Sequence, residues 1–177
     1  AGPVGLPTPR GVQRADVESA LHMQNALRAA LEDADVLIAT AAVADWRPAE
    51  VAAQKIKKTG SGQPPALAFM ENPDMLAEAA RSPRAQAGQL YCVGFAAESE
   101  NLLAHAQAKR ARKGVPLLAA NIGPATFGRD DNALLLIDET GVAELPPGLA
   151  PASKRHLARL LMDEIARRLP PAPRSTP

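Results

Sequence analysis

Apolar positions along this chain follow two rhythms. From Val17 to Leu31 they keep helical spacing, at Val17, Ala20, Leu21, Leu27, Ala30 and Leu31, with Asp16 placed to cap the first turn. "DVLIAT", from Asp35, then runs apolar without alternation, which predicts a short strand buried on both faces. Two later runs, "QLYCVGFAA" and "VPLLAAN", repeat that pattern, and Glu98 to Lys113 between them predicts a helix stopped by Gly114. Strand, helix and strand in this order imply parallel pairing.

A weaker strand, "ALAFMEN", precedes a predicted helix from Pro73 to about Ala80, where Pro73 suits a first-turn position with no amide to donate. "NALLLID" pairs with "GVAEL" across a turn at Glu139 to Gly141. The last helix spans Ser153 to Leu169, with Leu157, Leu160, Leu161, Ile165 and Leu169 on one face. Residues 170–177 read as a frayed tail, and "KKTGSGQPP" as the flexible stretch inside the domain.

Composition narrows the picture. A length of 177 residues suits one domain, here 1–169, and 46% hydrophobic with only 3% aromatic residues predicts an aliphatic core. A net charge of +1 gives no global field for nucleic acid or an anionic membrane, so neither is an expected partner. The single cysteine, Cys92, lies in an apolar run and suits a reducing compartment. With no span-length apolar run and no signal-peptide pattern at the start, a soluble, cytoplasmic protein is expected.

In open parallel sheets, ligands bind beyond the carboxyl ends of the strands. Three predicted strands end in suggestive residues: Ala41 and Ala42 lead to Asp45, Gly94 and Phe95 lead to Glu98, and the third ends in Asn121. Asp45 suits a magnesium ion bridging phosphates and equally suits a turn cap. Lys109 and Lys113, four residues apart on one helix, can converge on a polyanion. On spacing alone, offsetting the helix dipole is their commoner role. "KIKK" at Lys55 to Lys58 reads as a cationic flap or a solvated charge run, and Phe95 as a nucleobase wall or a core residue. His22, His105 and His156 fall on three predicted helices without metal-ligand spacing, which argues against zinc. No G-x-S-x-G elbow, Walker loop or G-x-G-x-x-G fingerprint occurs. The residues themselves support a nucleotide-sized polyanion site on an α/β sheet.

Taken in order, "AGPVGLPTPRGV", "AAVADWRP", "KIKK", "ENPDML", "VGFAAESENLLAHAQAKRARKG", "AAN" and "FGRDDNALLLID" resemble one family, the phosphopantothenoylcysteine synthetase (phosphopantothenate–cysteine ligase) domain of coenzyme A biosynthesis. The resemblance implies an α/β fold with a Rossmann-like, mostly parallel sheet, helices on both faces and a small β extension. It implies CTP-dependent ligation of 4′-phosphopantothenate to cysteine through an acyl-cytidylate, releasing pyrophosphate and CMP. It assigns CTP binding to Ala41, Ala42, Val43, Asp45, Lys55, Asn72, Pro73, Asp74, Met75, Phe95, Lys109 and Lys113, magnesium to Asp45, and a catalytic part to Lys55.

A homodimer follows from the same resemblance, with Lys57 to Met70 near the partner. The family's opening strand, its "GGT"-type loop and its "SNRSSG"-type segment are absent from this sequence. A sheet without its first βα unit is therefore expected, with catalysis drawing on residues outside it. No FMN is expected, because the flavin-dependent decarboxylase domain often fused ahead of this one is not here. Two other readings stay open: a Rossmann-like nucleotide-binding module without ligase activity, and an inactive truncated domain.

Overall fold

The computed structural model describes residues 1–52, 54–57, 64–126 and 128–169. Its elements, in chain order, are α1 (Ala20–Ala30), β1 (Val36–Ala39), β2 (Trp46–Pro48), β3 (Phe69–Glu71), α2 (Met75–Ala80), α3 (Pro83–Gln86), β4 (Tyr91–Glu98) and α4 (Leu102–Lys113). There follow β5 (Leu117–Ile122), α5 (Gly123–Thr126), β6 (Asp131–Asn132), β7 (Leu134–Ile137), β8 (Val142–Leu145), β9 (Ala152–Ser153) and α6 (Lys154–Arg168). The chain divides into two compact units, one of Ala1–Glu32 and Ala41–Met75, the other of Asp33–Thr40 and the chain from Leu76 onward. The expected tail at 170–177 and most of the "KKTGSGQPP" stretch, Lys58 included, lie outside the described residues.

The second unit is built on a five-stranded sheet in the order β1, β4, β5, β7, β8. β1, β4 and β5 are mutually parallel, whereas β7 is antiparallel to β5 and β8 to β7, so β8 returns to the common direction. The expected "NALLLID" and "GVAEL" hairpin is therefore part of the main sheet. Its turn is held by Asp138, whose carboxylate accepts from the Thr140 amide at 2.8 Å and the Gly141 amide at 3.1 Å.

Both faces of this sheet are covered. On one, Val93, Leu117, Ala119, Leu134, Leu136 and Leu145 pack with Leu157, Leu161 and Ile165 of α6. On the other, Gly94 of β4 faces Leu118 and Leu76 of α2 so closely that an added Cβ would lie 2.8 Å from each. Successive residues of a strand point to opposite faces, so a central strand needs an unbroken apolar run, and β5 supplies Leu117 to Ala120, all fully buried. β1 departs from the expectation of two buried faces: it sits at the sheet edge and only Leu37 is buried.

Where element boundaries depart most from the sequence reading, the reasons are local. α1 starts after Ser19, whose hydroxyl accepts from the His22 amide at 3.2 Å, because Asp16 is held by Arg14 at 2.6 Å and the Val17 amide bonds to Ala1. α4 starts at Leu102 and not at Glu98, because β4 stays paired with β5 through Glu98. α2 starts at Met75, leaving Pro73 in the preceding turn, whose carbonyl accepts from the Met75 amide. "ALAFMEN" yields only Phe69–Glu71, and it pairs antiparallel with β2 outside the main sheet. Gly114 does stop α4, in a left-handed conformation at φ 69° with its amide on the Arg110 carbonyl. Among the described residues, no helix is long and apolar enough to cross a membrane.

Candidate functional site

In the first unit, two of the motif loops are tied together. β2 and β3 pair with Trp46 opposite Glu71, Arg47 opposite Met70 and Pro48 opposite Phe69, which carries the chain from Ala41–Asp45 alongside Asn72. Asn72 fastens the join twice: its backbone amide donates to the Asp45 carbonyl at 2.7 Å and its side-chain amide to the Ala44 carbonyl at 2.8 Å. Arg47 locks the arrangement by donating to the Glu71 carbonyl at 2.6 Å and to the Asn72 side-chain oxygen at 3.0 Å. Asn72 is thus committed at both ends of its amide, which fixes its orientation.

Of the predicted residues in this unit, Ala41, Ala42, Asp45, Lys55 and Asp74 are exposed and Val43, Pro73 and Met75 half-buried, and no contact ties Lys55 to the join among the described residues. Small exposed alanines leave backbone groups open to a ligand, and the exposed Asp45 follows them in the same loop. Among the described residues, no cluster of three or more histidines, cysteines or carboxylates is of the kind that cages a metal ion. A single carboxylate is a donor of the kind that a magnesium ion accepts while it keeps most of its waters.

The second unit carries the other predicted residues at the carboxyl end of β4 and on α4. Lys109 lies 3.4 Å from the carboxylate of Glu98, the last residue of β4, and His105 lies 3.9 Å from the other oxygen of the same carboxylate. Lys113 closes α4 in a last turn that also holds Arg110 and Arg112. Phe95 is half-buried against the cluster that α6 covers, so part of its ring serves the core. At the end of β5, the Asn121 side-chain amide donates to Thr126 at 2.6 Å. Asn121 and Thr126 line a cavity of about 310 Å³ with Leu102, Ile122, Leu134 and Leu149. Cys92 is buried, and burial pushes its thiol up to about 11, which makes it an unreactive core residue.

Sequence reading missed Arg47, the bridging part of Asn72, and Glu98 as the partner of Lys109. The last was accessible: an acidic residue ending a strand, followed by His105 and Lys109 at a four-residue interval, places two basic groups on the helix face nearest that end. A second cavity of about 510 Å³ in the first unit, lined by Gly2 to Gly5, Arg14, Asp16, Val17, Glu18 and His22, also had no signal in the pattern. It is shaped by Arg14, whose guanidinium donates to the Val4 carbonyl at 3.0 Å and also to the Leu6 carbonyl.

Comparison with known proteins gives this arrangement a lineage. Residues 1–169 match the family described as DNA/pantothenate metabolism flavoprotein C-terminal domain. The coenzyme A biosynthesis bifunctional protein CoaBC of Escherichia coli (strain K12) is 41% identical over 172 residues, covering 95% of this chain and 41% of that protein. The protein of the same name from Mycolicibacterium smegmatis (strain ATCC 700084 / mc(2)155) is also 41% identical, over 92% of this chain and 40% of its own length. The chain therefore spans about two fifths of the length of these relatives. The crystal structure of the C-terminal domain of CoaBC matches with a TM-score of 0.73 at 28% identity, over 95% of this chain and 71% of that one. The DNA/pantothenate metabolism flavoprotein of Streptococcus pneumoniae shares the fold, with a TM-score of 0.68 at 16% identity. By sequence and by fold, the chain belongs to the DNA/pantothenate metabolism flavoprotein C-terminal domain family.

Proposed function

We propose that this chain is the nucleotide-using domain of a phosphopantothenate–cysteine ligase of coenzyme A biosynthesis, acting on CTP, 4′-phosphopantothenate and cysteine. The observation that carries the reading is the Asn72 join, which pins the Ala41–Asp45 loop to the Asn72–Asp74 turn. It occurs in a chain 41% identical to a bifunctional coenzyme A biosynthesis protein. A nucleotide fitted at this join meets fixed backbone groups, which is what selection of a base edge requires.

The chemistry follows from the weakness of a carboxylate as an electrophile. An oxygen of the 4′-phosphopantothenate carboxylate attacks the α-phosphorus of CTP and pyrophosphate departs, leaving an acyl-cytidylate. The cysteine amine then attacks the acyl carbon and CMP leaves. Negative charge accumulates on the departing pyrophosphate, and preplaced cations lower that barrier. Lys109 and Lys113 are assigned to those phosphates and Lys55 to the reacting centre, with Asp45 receiving the magnesium that accompanies CTP. That ion neutralises phosphate charge when bound. No flavin chemistry is assigned to these residues, and the soluble substrates suit the cytoplasm.

The same reading includes a homodimer. Trp46, Phe69 and Met70, on the two-stranded ribbon of the first unit, are 57%, 58% and 42% exposed, and an isolated ribbon with so much apolar surface is stabilised by a cover. Sedimentation velocity across a hundredfold concentration range is expected to show a dimer, and a monomer throughout would remove this part of the proposal.

The decisive test is calorimetric titration of the intact protein with CTP and ATP in magnesium, followed by assay of CMP and pyrophosphate release with both co-substrates. CTP is expected to bind in preference to ATP, with Lys109→Ala weakening it roughly tenfold, about 1.4 kcal/mol. Absence of CTP binding by folded protein sinks the proposal, and CTP binding without turnover reduces it to a nucleotide-binding module.

A further inference from the structure

We infer that Glu98 is an internal competitor for Lys109: its carboxylate holds the lysine while no polyphosphate is present and recaptures it as the polyphosphate leaves. This rests on the nucleotide reading proposed for Lys109 and adds a positioning residue to it.

The two partners differ in freedom. Glu98 ends β4 and stays in register with Ile122 of β5, so the sheet fixes where its side chain starts. Lys109 reaches it from the middle of α4 on a flexible four-carbon stem carrying a compact charge. The ammonium lies 3.4 Å from one carboxylate oxygen, with the two side chains 30% and 20% exposed. An ion pair that is still partly solvated holds weakly. It presets the lysine beside the strand end, yet a triphosphate of several charges takes the ammonium from it.

His105 adds a second option for the carboxylate. Its Nδ1 lies 3.9 Å from the oxygen that Lys109 does not face, one helical turn earlier on the same side of α4. Glu98 therefore does not lose every neighbour when Lys109 turns to a phosphate. When the nucleotide bond has been cleaved, the same carboxylate offers Lys109 an alternative to the pyrophosphate, which favours release of a product that lysines otherwise retain.

The test is titration of the intact protein with inorganic pyrophosphate and with CTP, both in magnesium, on wild type, Glu98→Gln, Glu98→Asp, Lys109→Met and the Glu98→Gln/Lys109→Met double variant, each checked for folding by circular dichroism. Glu98→Gln is expected to bind both ligands roughly two- to fivefold tighter, the affinity equivalent of a partly exposed ion pair. Glu98→Asp, which keeps the charge, is expected within about twofold of wild type. In the Lys109→Met background the gain should vanish. A gain that persists there means simple long-range repulsion and overturns the inference, as does unchanged or weaker binding by Glu98→Gln while wild type binds. If no folded form binds either ligand, the nucleotide reading itself has failed and this inference falls with it.

Discussion

The two units of this chain are held by different forces. The sheet unit relies on burial: Val93 and Leu117 to Ala120 are fully inaccessible, and the cluster beneath α6 is apolar throughout. Among its described residues the first unit buries far less, and specific polar ties at Arg14, Arg47 and Asn72 hold it, while Trp46, Val51, Ile56, Leu67 and Phe69 stand exposed. Burial is non-directional and tolerant of detail, whereas a tie made by one amide fails when that amide is removed. The difference separates two kinds of mutational effect, one on stability and one on the shape of a binding loop.

The largest expected effect lies in the sheet. Leu117 is fully buried in β5, between β4 and β7, and Leu117→Ala removes core volume that neighbouring strands cannot easily refill. A loss of about 2–5 kcal/mol is expected, read as a fall in the urea midpoint. A domain of ordinary stability has only about 5–15 kcal/mol in total, so this variant should be visibly crippled. A loss under about 1 kcal/mol, small for a buried leucine truncation, would break the contrast by showing that the sheet is not where stability resides.

Asn72→Ala tests the other side. It deletes the bond to the Ala44 carbonyl and removes one acceptor from Arg47, which keeps the Glu71 carbonyl. The local cost is about 1–2 kcal/mol. It should appear as faster hydrogen exchange at residues 41–45 and as CTP binding weaker by roughly five- to tenfold, with β5 amides still protected. Equal loss of protection in β5 would mean that the two units open together and that polar ties and burial are one cooperative system.

The same contrast explains what could be read from sequence. Continuous apolar runs announce central strands, so β4 and β5 and their parallel pairing were legible, as were the β7–β8 hairpin and the α6 stripe, though not the capping part of Ser153. β2 was not, because three residues, Trp46 to Pro48, are too few to display a period and Pro48 argues against a strand. α1 was legible as a helix but not at its start, since Ser19 and Asp16 are both good caps and only the Arg14 contact decides between them. In the candidate site, the motifs named Asn72 and Lys109. What each side chain touches depends on loops meeting in space, and no spacing rule encodes that.

The smallest expected effect concerns a polar tie inside the buried unit, and it sharpens the contrast most. Arg168, at the end of α6, donates to the Asp138 carboxylate at 3.1 and 3.2 Å and also pairs with Glu164, anchoring the helix end to the β7–β8 turn. Burial works to raise the Asp138 carboxyl, but bonds from the Thr140 hydroxyl and amide and from Arg168 outweigh it, and the group lies below its ordinary value of 3.8. A carboxyl held low in the folded state stabilises the fold fully above its unfolded value and loses that contribution as pH falls through the folded one. Asp138→Asn keeps an oxygen for Thr140 but forfeits the charge, so a loss of about 1 kcal/mol at pH 7 is expected. That gap should begin to close as the pH falls below about 4, the unfolded carboxyl's value, and close further as the pH falls through the lower folded one. Urea midpoints for both proteins at pH 7 and pH 3 give the comparison directly. A gap that stays constant between the two would show that Asp138 acts through turn geometry alone, and that even the tie to α6 adds nothing to what burial already secures.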